Sequence, residues 1–405
     1  MKGVRVIVVA ALLAVMVSVS GCAARGAPQG FTGLVSDGKT LYVSSAGGRI
    51  LGLDVQLREN AASFPGTSEW EYSVTKETSG AFGCGTSQVA ATIYGTPVLD
   101  NEHICVGTYG GKVLMLDAGS RGSSLSFPQI RAGEWEYPRT EDTIGPVVGA
   151  PTVVGDKVFV CSSTQDDGQT VGLVYALDRA YGDELWVSEP LDGKLWVSPA
   201  VVDGIVYVTT FDGQIFTLSA DRGEVGSWQY DAEVGFVSSP LVRNGIVFAG
   251  SFDRTLYAIE VGSNAPLWTY EAGNWFWATP VVSGDVLYAP NMDGKLYAFN
   301  MYTGDPVWPE PFDADSAIAA SPVIVGSNVV FATKEGDVFA VDMSTGEGVN
   351  VPNPTNEKAT TLDAMVIGAP VVHQGLVYFL PQNNTLTAID PVANRVEYEF
   401  SLEME

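Results

Sequence analysis

SPAVVDGIVYV (Ser198 to Val208), TPVVSGDVLYA (Thr279 to Ala289) and APVVHQGLVYF (Ala369 to Phe379) share one pattern: a small residue, proline, two or three apolar residues, a turn, then an alternating strand. The small-residue–proline pair recurs at Thr96-Pro97, Ala150-Pro151, Ser198-Pro199, Ser239-Pro240, Thr279-Pro280, Ser321-Pro322 and Ala369-Pro370. Successive prolines stand 54, 48, 41, 40, 42 and 48 residues apart. A degraded eighth copy opens the series at Gly33-Leu34-Val35 and Leu41-Tyr42-Val43. A period in the forties built of strands alone predicts a propeller, because one four-stranded blade cannot bury both of its faces. The expected fold is all-β: an eight-bladed β-propeller of four-stranded antiparallel blades over residues 31–405.

Four strands can be read within each repeat. The first carries the small–Pro phrase, since proline is tolerated at the start of a strand where no ladder donor is needed. The small residue before it suits crowding near a common axis. The second alternates, as in Val206-Tyr207-Val208 and Val377-Tyr378, and runs into Gly-containing turns such as Asp212-Gly213 and Asp293-Gly294. The third ends in Tyr-Ala-x-Asp or a close variant, at Tyr175 to Asp178, Tyr257 to Glu260, Tyr297 to Asn300, Phe339 to Asp342 and Thr387 to Asp390. Ten residues beyond the alanine stands an aromatic: Trp186, Trp268, Trp308 and Tyr398, with Trp228 and Phe400 as slipped equivalents. The physical reading is a turn capped by Asp or Asn, a glycine at positive φ, and a tryptophan wedged between neighbouring blades. This Ala-x-Asp-x-x-Thr-Gly-x-x-x-Trp arrangement, complete from Ala298 to Trp308 except for Asn300, resembles the repeat of pyrroloquinoline-quinone (PQQ) dehydrogenases.

The two ends of the composition narrow the function. The 405 residues carry a formal net charge of −26 and no Lys/Arg cluster, which excludes a phosphate-tracking nucleic-acid surface. At the N-terminus, Lys2 and Arg5 precede an apolar run from Val6 to Val19, so residues 1–21 read as a signal peptide and stand outside the fold. Val19-Ser20-Gly21-Cys22 resembles the bacterial lipobox, which makes Cys22 the expected lipidated residue; multiple acyl chains anchor stably where one does not. Residues 22–30 are then the lipidated cysteine and a short linker. The expected location is the outer face of the cytoplasmic membrane or the periplasmic face of an outer membrane. Of the other cysteines, Cys105 and Cys161 sit on apolar strands as small hydrophobes, and Cys84 lies in an insertion with either as a disulfide candidate.

Catalytic groups are sparse. His103 and His373 are the only histidines; both fall in turns and read as exposed rim residues. No nucleophile–His–acid set, H-E-x-x-H or phosphate loop is present. Asp166-Asp167-Gly168 lacks calcium-loop spacing and reads as a solvated turn, and no metal site is expected. Tyr94, Trp196, Phe236, Trp275, Phe276 and Trp277 all lie just before inner strands. They serve either inter-blade packing or an apolar mouth for a partner, and strand alternation cannot bury Trp275, Phe276 and Trp277 on one face.

Two families share the repeat. PQQ dehydrogenases are similar in blade motif, but the adjacent cysteines of that family have no counterpart here. BamB-like outer-membrane assembly lipoproteins are similar in lipobox, length, blade number and absence of catalytic groups, over nearly the whole chain. That resemblance implies a monomeric, non-enzymatic scaffold without a cofactor. It would hold envelope or membrane proteins by β-augmentation or groove docking, and the barrel-assembly machinery where a second membrane exists. The alternatives are a quinoprotein dehydrogenase using PQQ and calcium, and a ligand-sensing ectodomain.

Overall fold

In the computed structural model of the chain, the described residues run from 33 to 402, apart from 46–47, 57–65, 67, 80–85, 120–132, 141, 350–359 and 394. Cys22 and Cys84 lie outside them. Eight antiparallel sheets follow one another along the chain, each ordered from first strand to fourth; seven have four strands and the third carries a short fifth. Blades 1 to 8 span 33–73, 98–137, 152–192, 200–231, 241–271, 281–313, 323–361 and 371–401. The first strands of neighbouring blades touch around a central axis, that of blade 8 meeting that of blade 1. The chain is an eight-bladed β-propeller. A separate hairpin, Thr75–Ser79 with Thr86–Ala90, joins blades 1 and 2.

The turns explain the strand breaks. Between first and second strands, Asp203-Gly204 and Asn244-Gly245 have φ of 50° and 77°, and 52° and 76°, the paired positive values of a two-residue hairpin turn. Crowding at the axis is met one residue ahead of the small–Pro pair: a Cβ on Gly95, two before Pro97, would fall 2.7 Å from the Gly149 carbonyl oxygen. The serines there also tie blades together: Ser198 Oγ accepts from the Ala150 N–H at 2.8 Å, and Ser239 Oγ from the Ser198 N–H at 2.9 Å.

Packing is between blades. Eight apolar clusters each join two adjacent blades, one for every interface of the ring. Across one blade face, a second-strand aromatic, a third-strand alanine and a later aromatic lie in a row. Phe248 and Trp268 have ring centroids 5.9 Å apart over Ala258, and Tyr288 and Trp308 5.6 Å apart near Ala298. Alanine lets two rings approach there; in blade 2, where the second strand offers Cys105 instead of an aromatic, Met115 takes the place beside Trp135.

The tryptophans also share a polar contact. Trp135, Trp186, Trp268 and Trp308 donate their indole N–H to the carbonyls of Arg179, Ala220, Met301 and Met343, at 2.9, 3.2, 3.0 and 3.0 Å. Trp70 donates to Ala118 at 3.2 Å and Trp228 to Ser263 at 2.8 Å. Every acceptor lies in the turn after the third strand of the next blade. The glycine of that turn receives the ring: Cβ atoms on Gly182, Gly223, Gly304 and Gly346 would stand 2.4 to 2.7 Å from the preceding blade's tryptophan. At the staple position of blade 8, Tyr398 packs on Tyr378 with centroids 6.0 Å apart.

The same turns are capped by carboxylates. Asp342 Oδ1 accepts from the N–H groups of Ser344 and Thr345, and Asp390 Oδ1 from those of Val392 and Ala393. The Ser344 hydroxyl, with these N–H groups, holds Asp342 below the ordinary carboxylate value of 3.8; the Ala393 N–H leads the same effect on Asp390. A pKa depressed in the folded state stabilises above the unfolded value, and that stabilisation is lost as pH falls through the folded one. Urea midpoints are therefore expected to drop below about pH 4. The double variant Asp342→Asn, Asp390→Asn should show a shallower acid limb, and an unchanged limb would remove these caps from the acid transition.

Closure comes from side-by-side packing. All four strands of blade 8 come from 371–401, and Gly33–Ser36 is the innermost strand of blade 1. Leu34, Leu41 and Leu53 pack with Tyr378, Leu380 and Leu386, and the Arg49 guanidinium donates to the Leu402 carbonyl at 2.8 Å. His373 belongs to this seam. It is 2 % exposed, shares a 2.5 Å hydrogen bond with the Ser36 hydroxyl and packs edge-on to Tyr378. Its expected place at an exposed rim is thereby corrected: closing the ring covers it with blade 1.

Candidate functional site: an aromatic arc at one mouth of the ring

One face of the ring carries the turns between second and third strands together with the loops that lead into each inner strand. These loops and turns are stitched together by backbone bonds. Phe211, Phe252, Met292, Lys334 and Gln382 donate N–H groups to the carbonyls of Lys194, Gly235, Trp275, Ala317 and Met365. The pattern puts side chains from different blades in register, so sequence differences at equivalent positions can be read directly.

That register separates the six loop aromatics. Phe236 and Phe276 are 0 % and 1 % exposed and belong to inter-blade cores. Tyr94, Trp196, Trp275 and Trp277 are half-buried. Two turn residues that sequence reasoning did not single out, Phe211 and Phe252, complete a continuous arc. Trp196–Phe211, Phe211–Phe252 and Phe252–Trp275 have centroids 5.7, 5.4 and 5.7 Å apart and interplanar angles of 69°, 87° and 89°. Edge-to-face contacts of this kind are favoured by the ring quadrupoles. The Trp275 indole N–H donates to the Phe252 carbonyl at 3.1 Å and fixes that end. Tyr94 forms a separate pair with Tyr109 at 5.2 Å.

The arc breaks the symmetry of the ring. The turn position of Phe211 and Phe252 is Lys334 in blade 7 and Gln382 in blade 8, and the loop position of Trp275 is Ala317 and Met365 in the two loops that follow. Blade 2 repeats one contact of the arc, since Tyr109 donates its N–H to the Thr92 carbonyl and packs on Tyr94, but among the described residues the run of four linked rings occurs only between Trp196 and Trp275. Beside it, the strands Lys157–Asp166 and Gln169–Asp178 of blade 3 form a hairpin of ten residues per strand, against five and six in blade 4. The short strand Leu191–Asp192 braces the hairpin at Val171 and Gly172.

Charge around the arc is predominantly acidic. Asp192, Asp212 and Glu233 are exposed on the flanking loops and turns. Asp253 and Asp293 are engaged structurally, accepting from the hydroxyls of Tyr257 at 3.1 Å and Tyr297 at 2.7 Å. Burial, then Asp253, pushes the Tyr257 phenol up to about 12. The Lys194 ammonium lies 4.0 Å from the Trp196 ring centroid, and burial lowers its pKa against the pull of Asp212. The result is an apolar, acid-rimmed strip with one cation–π lid at its end.

The other candidates carry less chemistry. Cys105 and Cys161 are buried free thiols whose pKa values burial pushes up, which makes them inert. His103 is half-buried and lines a cleft between blades 2 and 3 with Asp100 and Arg179, which pair with each other. Asp166 and Asp167 are exposed at the tip of the long hairpin. Among the described residues no group of three or more His, Cys, Asp or Glu is placed to hold a metal ion. The central channel does not suit PQQ either. That flat tricarboxylate needs several cations, and the cavity of about 560 Å³ along the channel is lined by aliphatic side chains with Arg243 as its one charged group.

Comparison with known proteins agrees with the fold. The model of a family described as outer membrane protein assembly factor BamB, of the PQQ-repeat type, matches residues 170–396. Outer membrane protein assembly factor BamB of Salmonella typhimurium is 26 % identical over 164 residues, which is 40 % of this chain and 36 % of that protein. The matched stretch thus spans about a third of the curated relative. Among solved structures, BamB from Moraxella catarrhalis superposes with a TM-score of 0.58 at 17 % identity, covering 90 % of this chain and 95 % of the other. A europium-containing methanol dehydrogenase gives 0.57 at 16 % identity, covering 90 % and 82 %. The computationally designed Ika8 protein gives 0.59 at 15 % identity, covering 76 % and 87 %. At these identities the structural likenesses speak for the propeller alone.

Proposed function

Because the chain belongs to the PQQ-repeat propeller family described as outer membrane protein assembly factor BamB, whose model takes in more than half of its length, we propose that it is a non-enzymatic scaffold of the cell envelope, anchored by lipid on Cys22, that holds proteins during assembly into a membrane. The observation that carries this reading is the arc Trp196–Phe211–Phe252–Trp275, four linked rings across neighbouring blades, of which only the first pair has a counterpart, Tyr94–Tyr109 in blade 2. Rigid rings supply contact area at little cost in side-chain entropy, and such strips take extended or polyproline segments of a partner. Tethering at Cys22 raises the effective concentration for partners held at the same membrane. The monomeric ring acts by positioning, and its partners in a two-membrane cell are those of barrel assembly.

The test places a photoreactive phenylalanine analogue at Phe252 and, separately, at Gln382, the equivalent turn position in blade 8. Cross-links from 252 to a barrel-assembly protein, and none from 382, are expected in the source organism. The double variant Phe252→Ser, Trp275→Ser should lower recovery of that partner about tenfold or more, as loss of interface aromatics does. Equal cross-linking at both positions, or unchanged recovery from the double variant, would remove the arc from the function.

A further inference from the structure

The register of the mouth face carries charge as well as rings. In blades 4 to 7 the residue after the turn position is a carboxylate: Asp212, Asp253, Asp293 and Glu335. Two residues ahead of the loop carbonyls that accept the turn N–H groups stand Asp192, Glu233, Asp315 and Asp363, all exposed, with Gly273 as the exception. Among the described residues, Asp192, Asp212, Glu233 and Asp363 enter no salt bridge, whereas Arg49, Arg222, Arg254 and Arg395 each pair with a glutamate. Like charges set side by side oppose the compact state, and none of these carboxylates packs in a blade core. One cation already sits on the strip. The Lys194 ammonium lies 4.0 Å from the Trp196 ring centroid, within the pull of Asp212. The chain thus displays, at one end of the arc, an ammonium with a ring face beneath it and a carboxylate beside it. Farther along, at Phe211, Phe252 and Trp275, rings and carboxylates are in place and, among the described residues, no lysine or arginine is seated on them.

We propose that the partner segment received by the arc is extended and basic, with Lys or Arg at alternate positions. The proposal rests on the arc being the docking site and adds the chemistry of what docks there. The spacing suits such an occupant. Side chains on one face of an extended strand repeat about every 6.8 Å, and the ring centroids along the arc are 5.4 to 5.7 Å apart. The flexible four-carbon stem of a lysine takes up a difference of about 1 Å per step. Each cation then lies over a ring with a carboxylate of the rim nearby, as Lys194 does within the chain. An acidic segment would meet like charges at every step. A neutral one would use the rings but leave the carboxylates without counter-charge.

Fluorescence anisotropy of the purified protein with three labelled octapeptides tests the assignment: one alternates Lys with Ser, one Gln with Ser and one Glu with Ser. The Lys peptide should bind saturably and about tenfold or more tighter than the Gln peptide, as several exposed charge pairs together allow, and the Glu peptide should not bind. Asp212→Asn with Glu233→Gln, altered only at exposed carboxylates, should weaken the Lys peptide about three- to tenfold and leave the Gln peptide unchanged. Phe252→Ser with Trp275→Ser keeps every carboxylate and should weaken both peptides about tenfold. This second variant separates seating on the rings from diffuse attraction to a chain of net charge −26. Absence of saturable binding by the Lys peptide overturns the proposal, as does Lys-peptide affinity that the ring variant leaves unchanged. Equal affinities for the Lys and Gln peptides, lost in the ring variant and untouched in the carboxylate variant, overturn the basic occupant while the docking role of the arc stands. Failure of that role reads out separately, in the cross-links from Phe252.

Discussion

Trp308→Ala is expected to lower the free energy of unfolding by about 3–5 kcal/mol, the range for truncating a buried aromatic. Trp308 is 3 % exposed, packs on Tyr288 in its own blade and donates to Met343 in the next. Removing the ring opens a cavity at the interface of blades 6 and 7 and leaves the Met343 carbonyl without its indole donor. Trp308→Phe separates the two contributions. It keeps much of the apolar contact but loses the N–H, so its cost should be the smaller one, about 1–3 kcal/mol for an unmet buried polar group plus residual cavity. Urea midpoints for the three proteins check the order. If Trp308→Ala unfolded within about 1 kcal/mol of the parent, the tryptophan would be a passenger in the interface and the staple account would fail.

Gly304→Ala should be nearly as damaging, for a reason that lies in the neighbouring blade. Gly304 has φ of 75°, and an added Cβ would stand 2.7 Å from Trp268 Cδ2. The left-handed backbone alone costs a non-glycine residue roughly 1–2 kcal/mol. Overpacking against a ring held by its bond to Met301 adds about 1–3 kcal/mol. Gly284→Ala is the control: its φ is 58° and nothing lies within 4 Å of the added Cβ. The difference between the two midpoints measures the contact with the tryptophan free of backbone strain. Equal losses would mean that the glycine serves conformation alone.

These two residues show why so much of the fold was legible in the sequence. The Asp cap, the glycine and the tryptophan lie within about a dozen residues, and their turn chemistry is local. Because the small–Pro phrase ahead of each such unit recurs every 40 to 54 residues, the same local reading applied seven or eight times yields the blade count. Trp70 and Trp135 escaped it since insertions in blades 1 and 2 displace them from their third strands. Their shared triplets, Trp70-Glu71-Tyr72 and Trp135-Glu136-Tyr137, were the available signal.

The site was legible only in part. Six aromatics before the inner strands are visible as a group, yet their division between core and mouth depends on alternation within loops that are held by bonds to the next blade. Phe211 and Phe252 look like ordinary turn residues until a ring closes and sets each beside a loop of another blade. Comparing the turns position by position, where Phe stands against Met292, Lys334 and Gln382, would have marked them.

Periodicity alone therefore determined the strands, their number and the wedge that joins one blade to the next, since each follows from residues close together in the chain. Only the tertiary structure decided how the ring shuts, why His373 is buried against Ser36 some 337 positions away, and which aromatics face outward at the mouth. Those outcomes arise from contacts between segments that no spacing relates, brought together by the geometry of a closed circle.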